Sequence, residues 1–225
     1  MVTPVSGPAA ADPREQESYR VLRSRIDLTR LPKFSRDVTE RVIYASGDFD
    51  YATDLVCDEE ILERAAESLA AGAPVVADAA MVADGISGCP VLCKSADSLT
   101  SRLARTAAIS RPAAAVRLAF GEAGPGAVWV VGCAASALQE ILSRGVQAAF
   151  VIGMPAGLVG AAAAKDALRA SGLPSLSNVS EKGGAVVAAA AFNALLRSAM
   201  AMPGSVAGWG ADRPPRAGDD SVTGT

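Results

Sequence analysis

The chain contains no histidine at all among its 225 residues. That absence excludes Ser-His-Asp and Cys-His nucleophile systems, histidine-ligated zinc hydrolases and haem with a histidine ligand. Acid–base work must therefore fall to Asp, Glu, Lys, Tyr, Cys or an arginine-supported group of the substrate. Aromatic residues make up only 4% although half of the chain is hydrophobic, so the core has to be built from alanine and aliphatic side chains. An aromatic-rich binding surface is excluded by the same numbers. Long apolar runs are missing too, because Asp, Glu, Lys or Arg interrupts each one, and no membrane span is expected. The N-terminus lacks a basic segment followed by an apolar stretch, which predicts no signal peptide and a cytoplasmic protein. Positive charge is not in excess: the net charge is −3, so there is no basic footprint for nucleic acid.

Cysteine is sparse and irregularly placed, at Cys57, Cys89, Cys93 and Cys133. Cys89-Pro-Val-Leu-Cys93 has three intervening residues, and no second pair or histidine follows to complete a zinc site. The four read as structural thiols, Cys133 as a small core residue closing an apolar run.

What is present organises the chain clearly. The length suits one well-buried α/β domain with little left over. Residues 1–13 and 203–225, rich in Pro, Gly and small or charged residues, are expected to be disordered tails around a domain of residues 14–202. Helices are predicted over 14–31, with Tyr19, Leu22 and Ile26 on one face, from about Ser35, and from Asp58-Glu59-Glu60 to the residue before Gly72. Buried strands are predicted at 74–79, 90–94, 127–133, 148–153 and 173–179. Between and after them come helices over 98–120, with a possible break at Pro112, 135–144, 159–171 and 183–200. Continuous apolar strands alternating with helices imply a mostly parallel five-stranded sheet covered on both faces. There is no internal repeat.

In such a sheet ligands bind beyond the carboxyl ends of the strands. Three glycine-bearing loops end strands there: 132–136, 153–160 and 179–184. Each could bring a ligand close to backbone or offer helix N–H groups to an anion, and each could equally serve strand–helix packing. None is a Walker loop or a Gly-x-Gly-x-x-Gly fingerprint.

The stretch Arg41-Val-Ile-Tyr-Ala-Ser-Gly-Asp-Phe-Asp-Tyr51 runs from apolar-leaning residues into a tight polar turn. It resembles the core motif of the precorrin-8X methylmutase family, Arg-x-Ile/Val-His followed by small residues, Gly and often Asp. Asp78-Ala-Ala-Met-Val-Ala-Asp-Gly-Ile86 resembles that family's Asp-x-x-Met-Val-x-x-Gly-Ile/Val. Ser110-Arg111, Gly132–Leu138, Gly153–Gly160 and Lys182-Gly183-Gly184 with 190–195 match its later motifs in order, so that the likeness covers residues 14–200. The resemblance implies a three-layer flavodoxin-like α/β domain and a homodimer with active sites near the subunit contact. It also implies an isomerase that moves a methyl group within a corrin precursor of cobalamin synthesis. That rearrangement is intramolecular and needs no cofactor or metal.

In the family the motif's histidine is the catalytic acid, and here its position holds Tyr44. The resemblance gives Tyr44 the donor's place and puts Ser46, Asp48, Met81, Arg111, Ser136, Met154, Lys182, Gly183 and Gly184 around the substrate, with Arg111 and Lys182 near its anionic groups. A phenol is about 3.5 units weaker an acid than an imidazolium, so full proton transfer would cost about 5 kcal/mol more. Polar positions depart from the family's pattern as well. Its Arg-Gly-Arg-Lys-Gly-Gly-Ser stands here as Val179-Ser-Glu-Lys-Gly-Gly-Ala185, its Glu-Ser-Lys as Ala163-Ala164-Lys165, and Pro112 follows Arg111 in place of serine. Arginine is the side chain best suited to carboxylates, so these losses weaken the grip on a polyanion. Two readings stay open: a methylmutase-like isomerase on a corrin precursor, or a diverged paralogue that rearranges another polycyclic substrate or only binds a tetrapyrrole-like ligand.

Overall fold

The computed structural model describes residues 13–203 and Ser205. The expected tails, 1–13 and 203–225, fall outside the described residues except for Pro13, Pro203 and Ser205. The chain between them forms helices α1 (Pro13–Arg25), α2 (Lys33–Ser46), α3 (Tyr51–Asp54), α4 (Glu59–Ala70), α5 (Ala80–Gly85), α6 (Ser98–Thr106), α7 (Arg111–Ala123), α8 (Ala135–Ser143), α9 (Ala161–Ala170) and α10 (Ala185–Met200). The strands are β1 (Leu55–Val56), β2 (Val75–Ala77), β3 (Val128–Val131), β4 (Phe150–Gly153) and β5 (Ser175–Asn178).

The sheet runs in the order β1-β5-β4-β3-β2, with β2 to β5 parallel and β1 antiparallel on β5. Alternation along each strand feeds two cores. Val128, Val130, Phe150, Ile152 and Leu176 pack towards α2, α4, α5 and α10, while Trp129, Val131 and Val151 pack towards α7, α8 and α9. Alanine makes the first layer tight. α10 buries Ala188, Ala189, Ala191, Ala194 and Ala199 and packs closely on α2. This is the three-layer, mostly parallel arrangement the pattern of apolar runs implies.

Three boundaries differ from expectation. The run at 90–94 contributes a single bridge, Leu92 to Val76; Pro90 lacks a donor and the chain leaves the edge at once. The sheet's fifth member is instead Leu55–Val56, two residues long and invisible to any periodicity. The first helix stops at Arg25, because the Asp27 carboxylate accepts the Thr29 N–H and hydroxyl and turns the chain. The helix expected over 98–120 is two helices. They part at Ala108, whose φ is 52°, and the second starts on a Ser110 cap that accepts the Ala113 N–H at 3.2 Å. Pro112 then occupies the first turn, where its missing donor costs nothing.

Candidate functional site at the carboxyl edge of the sheet

All parallel strands end at one edge, and the loops leaving them carry most of the residues singled out above. α2 reaches that edge with a buried stripe of Phe34, Val38, Val42 and Ile43. Its last turn leaves Tyr44 on the open side, 37% exposed. Gly47 ends the helix at φ 69°, its N–H bonded to Ile43 O at 2.8 Å, a left-handed cap that suits glycine. The chain then folds on its own polar atoms: the Asp48 N–H reaches Ser46 Oγ at 3.1 Å and the Asp50 N–H reaches Asp48 Oδ1 at 3.0 Å.

Tyr44 is held from two sides. The Tyr19 ring of α1 stacks on it with centroids 5.0 Å apart and planes 11° from parallel. The Arg41 guanidinium lies 5.1 Å from its centroid. Arg41 is fixed in turn by Glu15 at 2.6 Å. Offset stacking and a cation over the ring are favourable arrangements of an aromatic side chain.

Lys182 ties the other wall to this one. Its ammonium contacts Asp48 at 2.7 Å and Asp50 at 2.6 Å, which raises its pKa and holds the Asp48 carboxyl below the usual range. Beside this cluster Tyr51 is buried, and burial, followed by Asp54 and Asp48, pushes its phenol up to about 12. The Gly184 N–H bonds Met154 O at 2.8 Å. At Gly183, with φ 146°, a Cβ would run into that same carbonyl, so the loop can close there only with glycine. Met154 itself is fully buried and meets the loop through its backbone.

The remaining expected residues stand at the starts of helices α5, α7 and α8. Ser110 donates to Ser136 Oγ at 2.9 Å, and Arg111 donates to Ser95 O at 3.2 Å. Met81, 70% exposed, lies in the first turn of the short α5. Asp78 lies beneath, accepting the N–H groups of Gly132, Cys133 and Ala134 at 2.9–3.1 Å. Burial outweighs those bonds and raises its pKa. The structure thus joins Ser46, Asp48 and Lys182 directly, Met154 to Gly184, and Ser136 to the cap preceding Arg111. Tyr44 makes its ring contacts to Tyr19 and Arg41 rather than to the loop.

Sequence reasoning missed the layer under the 179–184 loop. Lys165 of α9 is 0% exposed and donates to Asn178 Oδ1 at 3.0 Å, Lys182 O at 2.8 Å and Ser180 O. Asp54 accepts from the Val179 and Ser180 N–H groups, the Ser180 hydroxyl and Asn178 Nδ2 at 2.7–3.1 Å. Burial works to raise the Asp54 pKa, but the bonds prevail and lower it. Polar residues inside an apolar strand end, Ser177-Asn178, were the available signal.

A family model described as precorrin-8X methylmutase matches residues 14–198. The precorrin-8X methylmutase of Sinorhizobium sp is 34% identical over 194 residues, spanning 81% of this chain and 92% of that one. The cobalt-precorrin-8 methylmutase of Salmonella typhimurium is 35% identical over 166 residues, spanning 71% and 79%. A solved precorrin-8X methylmutase from Thermus thermophilus superposes with a TM-score of 0.75 at 30% identity, covering 83% of this chain and 95% of that one.

Proposed function

Because the chain belongs to the precorrin-8X methylmutase family, we propose that it is an isomerase that moves a methyl group within a corrin precursor of cobalamin synthesis. Tyr44 stands in the donor's place. The observation that carries this reading is the pair of contacts from Lys182 to Asp48 and Asp50. They bring the end of the Tyr44 helix against the glycine loop, two segments more than 130 residues apart that both resemble the family's motifs. In this reading Tyr44 offers its hydroxyl to the substrate from a ring fixed by Tyr19 and Arg41. Arg111 uses one N–H on Ser95 O and keeps further donors for a carboxylate, since a guanidinium has five. The methyl leaves one ring carbon and joins another in the same molecule, so no electrons enter or leave and no cofactor is required. Incubation with precorrin-8X, followed by absorption spectroscopy, tests the proposal. The spectrum of the coloured rearranged product is expected; an unchanged spectrum with no bound ligand overturns it.

One observation favours a second reading. Lys182 is neutralised by two carboxylates, Glu181 stands beside it, and the 179–185 loop carries no arginine. A diverged paralogue with a less anionic polycyclic substrate fits that charge pattern. Tighter binding of a carboxyl-esterified corrin precursor than of the free acid would favour it.

The same reading includes a cytoplasmic homodimer. Leu158 and Val159 are each 92% exposed, with Met81 and Val186 also open, and an apolar edge of this kind calls for cover. Light scattering at micromolar concentration is expected to give a dimer; a monomer counts against any site shared between chains.

A further inference from the structure

A lysine that loses all contact with water needs an acceptor for each of its three protons. Lys165 has them, and all three belong to one segment: the Asn178 side chain and the carbonyls of Ser180 and Lys182. Two of those acceptors are backbone atoms of the loop that ends in Gly183-Gly184. That loop, between β5 and α10, has no regular secondary structure of its own, so its shape is set by what its polar backbone groups bond to. The same two carbonyls accept from Asn178 Nδ2, at 3.2 Å for Ser180 and 2.9 Å for Lys182, and Asn178 is itself held by Lys165. Lys165 and Asn178 together set where the Lys182 carbonyl points, next to the Lys182 contact with Asp48 and the Gly184 contact with Met154 O.

We infer that Lys165 is a positioning residue of the site: its buried ammonium holds residues 178–184 in the shape that sets Lys182 against Asp48 and Gly184 against Met154. Resting on the methylmutase reading for its substrate, the inference also makes the loop responsive to pH. The charged groups around the ammonium are Asp54 at the end of α3, Asp166 and Arg169 on its own helix α9, and Glu181 in the loop. Arg169 is occupied by Ser177 Oγ, Asn178 O and Asp166. Asp54 is occupied by the loop itself. Burial, as the leading cause, pulls the Lys165 pKa down to about 8. The Ser180 and Lys182 carbonyls also accept from Asn178 Nδ2, so a neutral amine leaves neither without a partner. Opening the loop to water, where the amine's pKa returns towards 10.5, becomes harder as pH rises.

The test uses the full chain and reads the loop without substrate. In Lys165→Met, pulse-labelled amide exchange at Lys182 and Gly184 is expected to speed up at least tenfold, with protection in α2 and α10 retained. The KM for precorrin-8X is expected to rise more than kcat falls. Unchanged exchange at both amides overturns the inference. Should the variant fail to fold, the wild type decides: because opening would return Lys165 to water, protection of the Gly184 amide, corrected for intrinsic exchange, should rise as pH passes from 7 to 9.5. A flat or falling profile overturns the inference. A loosened loop in a protein that never binds precorrin-8X would sink the methylmutase reading and leave the role of Lys165 standing.

Discussion

The two lysines on either side of the 178–184 loop are opposite solutions to anchoring the same few residues. Lys182 lies on the outer face, 39% exposed along its side chain, between two carboxylates that water also reaches. Lys165 lies underneath, with no exposure and three uncharged acceptors. Exposed ion pairs are worth at most about 1 kcal/mol, whereas an unpartnered buried acceptor costs about 1–3 kcal/mol. The shape of the loop is thus dictated from below, and its outer charges are left free to vary with the substrate. The departures from the family pattern follow that division. Val179 and Glu181, which stand where the motif this stretch resembles carries arginine, lie on the exposed side, while Lys165, Gly183 and Gly184 match the corresponding motifs.

The largest expected effect lies on the outer side, in rate rather than in stability. Tyr44→His should raise methyl migration on precorrin-8X by one to three orders of magnitude, equivalent to a few kcal/mol of barrier. Tyr44→Phe should abolish turnover and leave thermal unfolding nearly unchanged. Equal rates for Tyr, Phe and His would remove Tyr44 from the chemistry. Next, Lys165→Met should lower unfolding stability in denaturant by about 1–3 kcal/mol, and Lys182→Met should leave it nearly unchanged. Equal losses would end the distinction between the two lysines. Gly183→Ala should cost about 2 kcal/mol from a strained backbone and the Met154 carbonyl in its way, with substrate affinity falling alongside.

The smallest effect is the dependence of stability on pH. Lys165 gives up its proton near 8 in the folded state and near 10.5 in the unfolded chain. Between those values the unfolded chain binds more protons, so this group's contribution to stability rises with pH. Loop protection is expected to rise over the same interval, because opening the loop would return the ammonium to water. Denaturant titrations and amide exchange at pH 7, 8 and 9.5 would show the two rising together; loop protection that stays flat or falls would contradict the coupling of Lys165 to the loop.

Much of the scaffold was legible because it rests on local pattern. Val128–Val131 and Phe150–Gly153 are short apolar runs bounded by turn residues, and burial on both faces needs nothing else. Asp58 before Glu59-Glu60 announced a helix that it does cap, accepting the Ile61 N–H at 3.1 Å. Leu55–Val56 was illegible because two residues carry no period, and it becomes a strand only through its pairing with β5. Of the site, the glycine loop and the Tyr44 stretch could be found from their turn residues. Lys165 could not, since it sits in a run of alanines and its acceptors lie 13 to 17 residues further on. The two carboxylates on Lys182 are more than 130 residues away in sequence. Long-range electrostatics leaves no periodicity to read.

Trp129 has a consequence of a different kind. It sits in the middle of β3, 1% exposed, among Val131, Val151 and aliphatic side chains of the outer helices, and its indole nitrogen has no hydrogen-bond partner. Such a ring fluoresces at short wavelength, and it shifts to the red when the sheet opens to water. It also stands three residues before Gly132 at the carboxyl edge, a rise of about 10 Å along the strand. Corrinoids absorb in the near ultraviolet and visible, where tryptophan emits. A chromophore resting on that edge would draw energy from the core, so the dimming of Trp129, read in a Trp209→Phe background, gives an optical measure of site occupancy that needs neither turnover nor a label.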